Sequence, residues 1–251
     1  NVAPLFRSRK ISHSNLSLAL PNIDKPKRDK IIDNMWANYG KIFSEYMFMK
    51  NFRQNSKFSK KIIIENQEEL EKIKLEKKPV IFISGHFNNF ELMAMHIEKS
   101  NINLAAVYRP LNNKFLNPIM ERIREKYICK KQIKKGISGT KKLLKEFKNG
   151  TSIALMIDQR VSEGIKSDLF GKEALTTTIP AQFIKKFNTS VVPIYIERST
   201  DDTFKLKIYE SIKFSNDETV NDITKKLNQI LEKMIMANPD QWIWTHNRWK
   251  N

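Results

Sequence analysis

The chain has one cysteine, few glycines and no long apolar run, and each scarcity excludes something. Cys129 alone rules out a disulfide within the chain and any zinc site built from several thiolates. A reducing compartment follows, with Cys129 as a small buried apolar residue. No stretch approaches the roughly 20 apolar residues that span a bilayer, and no signal-peptide pattern is visible. The chain starts at Asn1 rather than Met, which leaves room for an anchor ahead of it. With only seven glycines there is no glycine-rich phosphate loop, and there is no internal repeat or low-complexity linker. Acidic residues are also scarce. Against 45 Lys and Arg stand 27 Asp and Glu, a net charge of +18. Such an excess either solvates the surface with lysine or selects anionic partners: nucleic acid, anionic lipid, phosphorylated substrates or an acidic protein.

What remains is a globular composition, 40% hydrophobic and 29% charged, over 251 residues, enough for one domain with a real core. Residues 1–26 are basic, broken by Pro4, Pro21 and Pro26, and read as an extended lead-in with a short apolar piece from Leu16 to Leu20. From Lys27 to Phe52 the apolar residues Ile32, Met35, Trp36, Tyr39, Ile42, Phe43, Tyr46 and Met47 recur at helical spacing. Strand-like and helix-like segments then alternate. Strands are expected at Ile62–Ile64, Val80–Ser84, Asn103–Tyr108, Ser152–Ile157, Ser190–Glu197 and Phe204–Glu210. Helices are expected at Gln67–Lys78, from the turn after Ser84 to Lys99, and at Asn113–Tyr127, Gly139–Lys148, Pro180–Phe187 and Thr219–Ala237. The alternation predicts an α/β fold: one domain over 1–251, with a mixed, mostly parallel sheet flanked by helices. Ligands in such folds sit beyond the carboxyl ends of the strands, where His86, Arg109 and Asp158 fall. No metal-ligand cluster is apparent, so no metal or cofactor is expected.

His86 follows a buried strand, and Glu91 comes five positions later. On one continuous helix, residues five apart face about 140° away from each other. The two can meet only if His86 precedes the helix and Glu91 lies in its first turns. Asn88 or Asn89 would then serve as N-cap. An imidazole fixed by a carboxylate is a general base for deprotonating a hydroxyl that attacks a carbonyl carbon. The same spacing also fits a capping box, Asn88-x-x-Glu91, with no catalytic meaning. Arg109 fits either a phosphate clamp or a surface ion pair. Asp158 and Gln159 fit either a pocket lining or loop support. Thr176 and the threonines after it fit either phosphate binding or helix capping.

Several blocks in order resemble one family. Gly85-His86-Phe87-Asn88-Asn89-Phe90-Glu91 is similar to the His-x4-Glu motif of the lipid A biosynthesis lauroyl and myristoyl acyltransferases, usually Gly-His-x-Gly-Asn-Trp-Glu. Asn88 stands where Gly is usual and Phe90 where Trp is usual. Asn15 to Pro21 resembles the family's lead-in, and Val107-Tyr108-Arg109-Pro110 its Tyr-Arg-Pro block. Asp158-Gln159 matches its Asp-Gln, and Phe170-Gly171, Ala174 and Thr176 its Phe-Gly-x-Pro-Ala-x-Thr element, with Glu173 in place of Pro. Ile179 stands where Gly is common. The tail from Pro239 to Lys250 follows the closing Pro-x-Gln-Trp-x-Trp-x-His-x-Arg-Trp-Lys.

The resemblance implies a glycerol-3-phosphate-acyltransferase-like fold and an O-acyltransferase. The donor would be acyl carrier protein and the acceptor an anionic glycolipid, a lipid A precursor. His86 and Glu91 would be catalytic, and Asn89, Arg109, Asp158, Gln159 and Thr176 would bind substrate. No acyl-enzyme would form. The chain would work at the membrane surface, peripheral or singly anchored on the cytoplasmic face of the bacterial inner membrane, without nucleic acid. Two other readings are a glycerophospholipid acyltransferase of the same His-x4-acid logic, and a basic nucleic-acid-binding protein, although no nucleic-acid-binding motif accompanies the lysine runs at 130–148.

Overall fold

In a computed structural model that describes residues 9–250, one sheet carries the fold. Its strands are β1 (Ile62–Glu65), β2 (Ile81–Ser84), β3 (Leu104–Tyr108), β4 (Lys131–Lys134), β5 (Ser152–Met156), β8 (Val191–Arg198) and β9 (Phe204–Ile208), in the order β1-β9-β8-β2-β5-β3-β4. Only the β8–β9 pair is antiparallel. The sheet is mixed and mostly parallel, as the alternation predicts. Its central strand β2 is buried at every position, and so reads as a continuous apolar run. Separate from the sheet, β6 (Ile165–Leu169) and β7 (Lys172–Thr176) form a hairpin.

Helices pack on both sides: α1 (Arg9–Ala19), α2 (Lys25–Glu45), α3 (Met49–Arg53), α4 (Glu68–Glu76), α5 (Glu91–Lys99), α6 (Leu116–Ile123), α7 (Ile137–Lys148), α8 (Ile179–Phe187) and α9 (Val220–Ala237). A π-helical turn over Arg124–Ile128 continues α6. The last helix starts on a capping box in which Thr219 and Asp222 satisfy each other's N–H groups.

Three expectations need correction. The lead-in is not extended where it is described: residues 9–19 are helical, with Ser12, Asn15, Leu16 and Ala19 buried at helical spacing. The prolines misled because they fall at helix ends rather than inside helices. Pro21 follows α1, and Pro26 lies in the first turn of α2 behind the Asp24 N-cap, where a missing N–H costs nothing. Pro4 lies outside the described residues.

Strand β4, Lys-Gln-Ile-Lys, was invisible because only Ile133 is buried. It is the outer strand of the sheet, and lysines on an edge discourage pairing with another chain. The hairpin was also missed. Its two-residue turn places both Phe170 (φ 57°) and Gly171 (φ 67°) in the left-handed region, as a type I′ turn requires. Phe is an unusual choice there; its N–H donates to Glu232 and its ring packs against Trp249.

Candidate active site

Strands β2 and β5 are parallel neighbours, with Ser84 opposite Met156. Residues just past their ends therefore meet. His86 lies two residues beyond β2 and Asp158 two beyond β5. The imidazole Nδ1 is 2.8 Å from Asp158 Oδ1. Asp158 Oδ2 accepts from the His86 backbone N–H at 2.8 Å and from the Trp242 indole N–H at 2.9 Å. Asp158 is buried, which by itself would raise its pKa. The His86 ring, the His86 N–H and the Trp242 N–H outweigh burial and hold it at about 2. As a carboxylate it can only accept, so Nδ1 carries the proton and the Nε2 lone pair is left for a substrate. His86 retains some exposure on an otherwise buried base, and the Phe90 ring stands edge-on to it at 4.8 Å.

The expected His86–Glu91 pair is not the one formed. Glu91 is the first residue of α5 and is buried. Its Oε1 accepts from Arg124 Nε at 2.8 Å and from the Tyr46 hydroxyl. Arg124 Nη2 in turn donates to Tyr46 Oη at 3.1 Å. Burial and the adjacent Glu91 push the Tyr46 hydroxyl well above its ordinary value. Burial works against the charge on Arg124, but Glu91 and Tyr46 overcome it and hold the guanidinium charged. Nor is there a capping box. Phe90 is the N-cap without a side-chain bond, and the Asn88 side chain accepts from the N–H of Asn89 instead. The physical reason is directional. His86 lies over the carboxyl end of β5, while the helix start turns Glu91 toward the end of α2 and the turn after α6.

The turn itself explains two sequence features. A methyl group on Gly85 would come within 2.9 Å of the Phe87 ring and 3.0 Å of Leu231, so glycine is needed for room, not for its backbone angle. Asn88 has φ 40°, a left-handed conformation that Asn tolerates better than most residues. The Gly usual in the resembled motif is thus replaced by the next most permissive type.

The other predicted site residues divide. Asn89 is fully buried and donates to Glu45 Oε2 at 2.8 Å. Glu45 pairs with Arg198 at 2.7 Å, and Arg198 reaches Asn88 Oδ1 at 3.2 Å. Asn89 thus braces the turn rather than facing open space. Thr176 is corrected outright. It is buried, its hydroxyl donates to the Ala174 carbonyl, and it accepts from Arg248 Nη2 at 2.7 Å and Asn228 Nδ2 at 3.3 Å, which leaves no face for a ligand. Gln159 is half-buried beside Asp158. Arg109 is exposed just past β3, and among the described residues no hydrogen bond or ion pair holds it. The N–H groups of His86, Phe87, Asn88, Asn89 and Phe90 are all engaged within the protein. The turn therefore offers fewer free donors than its position at a helix start implies.

Sequence reading missed Trp242, Tyr46, Arg124, Glu45 and Arg198. Trp242 carried a signal in its place in the aromatic tail, and Arg198 in its place near an arginine of the resembled family; Tyr46, Arg124 and Glu45 come from segments far apart in the chain. The described residues contain no group of three or more metal-ligating side chains and no helix long and apolar enough to cross a membrane.

A sequence model described as bacterial lipid A biosynthesis acyltransferase matches residues 2–251. The chain is similar to the lipid A biosynthesis palmitoleoyltransferase of Escherichia coli, 25% identical over 98% of this chain and 80% of that protein. It is also similar to the lauroyltransferase of the same organism, 23% identical over 97% of this chain and 79% of that protein. Among solved structures, the 1-acyl-sn-glycerophosphate acyltransferase of Thermotoga maritima aligns over 93% of this chain and 97% of that one, with a TM-score of 0.44 and 11% identity.

Proposed function

The chain belongs to the bacterial lipid A biosynthesis acyltransferase family and is an O-acyltransferase, and on that footing we propose that it moves a fatty acyl chain from acyl carrier protein to a hydroxyl of a phosphorylated glycolipid, a lipid A precursor, with His86 as general base. The observation that carries the mechanism is the His86–Asp158 pair at 2.8 Å, over the carboxyl ends of two adjacent parallel strands.

His86 Nε2 takes the proton of the acceptor hydroxyl as its oxygen bonds to the thioester carbon. Asp158 fixes the ring and stabilises the imidazolium that forms. The C–S bond then breaks, and the imidazolium returns its proton to the departing thiolate. Charge developing on the thioester oxygen lies near the positive end of α5, with the exposed Arg109 as the cation. Arg109 and Gln159 bind the anionic acceptor. Glu91 acts through position: anchored by Arg124 and Tyr46, it fixes the start of α5 beside the His86 ring. No acyl-enzyme is needed. Cys129 is fully buried, and burial pushes its thiol up to about 11, out of the range of a nucleophile. The protein works at the membrane surface, where its acceptor resides.

The test is transfer of labelled acyl chains from acyl carrier protein to a purified lipid A precursor. His86→Ala should lose activity by about 10³-fold or more, and Asp158→Asn by about 10²-fold or more, in proteins that remain folded. Full activity in folded His86→Ala protein would overturn the mechanism. Transfer to lysophosphatidate in place of the glycolipid would overturn the acceptor.

A further inference from the structure

Helix α6 contributes no buried residue, which is unusual for a helix placed beside a site. Its outer residues are apolar: Phe115 is 88% exposed, Ile119 57% and Leu116 45%. Two more segments add to them. Ile137, at the start of α7, is 83% exposed, and Phe43 near the end of α2 and Met47 in the 3₁₀ turn after it are 75% and 83% exposed. All three segments belong to the catalytic end of the sheet. The Lys135 N–H donates to the carbonyl of Tyr108 at the end of β3, and the Tyr108 hydroxyl donates to Glu121 of α6 at 2.5 Å. Tyr46 and Arg124 both hold Glu91 at the start of α5, which brings the end of α2 to the turn after α6.

The surroundings are cationic. Between Arg109 and Lys142 stand eleven Lys and Arg against two Glu, a net +9 and half of the chain's +18. Lys114, Arg122, Lys126, Lys134 and Lys135 are exposed among or beside the apolar residues.

We infer that α6, with Ile137, Phe43 and Met47, is the face by which this protein seats on an anionic lipid bilayer. Exposed Phe and Ile flanked by Lys and Arg suit the boundary between head groups and acyl chains, where apolar insertion and attraction to anionic lipid add. An acidic protein would use the charges as a bilayer would; the bilayer is favoured because the exposed apolar residues come from three separate segments, not from one anchor. The inference rests on the proposed lipid acceptor, because a bilayer on this face sets the end of the sheet that carries His86 against the membrane.

The experiment is co-sedimentation of the full chain with vesicles of phosphatidylethanolamine and phosphatidylglycerol, against vesicles of phosphatidylcholine alone. The protein should bind the anionic vesicles preferentially. The double substitution Phe115→Asp with Ile119→Asp should weaken binding about tenfold or more at every salt concentration. Lys114→Glu with Lys126→Glu should weaken it mainly at low salt. Circular dichroism checks that both proteins fold, which is expected because the side chains are exposed. Equal binding by the Asp variant and the unsubstituted protein would overturn the inference. So would indifference to lipid charge, or an oligomer in solution that the Asp variant abolishes, which would assign the face to a second copy. Transfer to detergent-dispersed acceptor reports on the catalytic reading separately. Transfer without vesicle binding sinks the surface alone, and vesicle binding without transfer sinks the reaction alone.

Discussion

Asp158, buried, and His96, half-buried, are titratable groups whose protonation destabilises the fold, the first by losing a charge the fold holds and the second by gaining one it does not. Asp158 is held at about 2, below the 3.8 of a free carboxyl, so the folded state prefers it ionised. Its contribution, about 2 kcal/mol, is present above about pH 4 and is lost as pH falls toward 2. His96 is lowered to about 4 from 6.5, first by burial and then by Lys99, so the folded state prefers it neutral. That contribution, about 3 kcal/mol, is full above about pH 6.5 and is lost as pH falls toward 4. Urea unfolding across pH should therefore show two acid-side slopes. Asp158→Asn should remove the lower one and His96→Phe the upper one. An unchanged slope in either variant would contradict the corresponding assignment.

The start of α5 depends on partners outside it. Its N-cap makes no side-chain bond, and its first residue is a buried carboxylate held by Arg124 from the π-helical turn and Tyr46 from the 3₁₀ turn after α2. Arg124→Met should cost about 3–5 kcal/mol in denaturant unfolding, because Glu91 is left buried and charged without its partner. Adding Glu91→Leu should recover a large part of that loss, since the expense lies in the stranded charge. If the double variant is as unstable as the single one, Arg124 acts through packing rather than charge. The same contacts show why a His–Glu pairing is natural from spacing but incomplete. Spacing alone places His86 ahead of a helix and Glu91 in it, and that placement is correct. Which carboxylate the imidazole meets depends on which strand lies beside β2. The neighbour is β5, 72 positions further along from His86 to Asp158.

Across the whole molecule, the tail ties the site to the opposite end of the chain. Asn15 of α1 donates to the carbonyls of Trp244 and His246. Gln241 bonds Asn88 and the backbone of Arg198, Trp242 bonds Asp158, and Arg248 bonds Leu175 and Thr176. Burial lowers the pKa of Arg248 to about 10 despite partial relief from Asp158, so its place is set by the backbone it holds. Trp242 and Trp244 are therefore core, buried edge to face at 4.6 Å. Trp242→Phe keeps the packing and removes one donor from Asp158. It should lower kcat about tenfold, leave KM nearly unchanged and alter the pH–rate profile of transfer. An unaltered profile with a lower unfolding midpoint would make Trp242 purely structural.

Whatever is local or periodic is legible in the chain alone. Buried runs of β-branched residues placed most parallel strands, since a central strand is apolar on both faces. Amphipathic spacing placed α2 and the helices from α4 to α9, though not the break between α2 and α3, and the ordered motif blocks identified the family to which residues 2–251 belong. Whatever depends on neighbours distant in the chain came from the packing of the folded molecule. Strand order gave His86 its Asp158 partner. The packing of α2 against the turn after α6 gave Glu91 its arginine. The edge position of β4 made a strand of a segment too polar to announce one. The apolar stripe of α2 and the turn after it divided the same way, with Ile32, Met35 and Trp36 buried while Phe43 and Met47 are exposed. Periodicity shows that a helix has an apolar face, but only its neighbours determine how much of that face is covered.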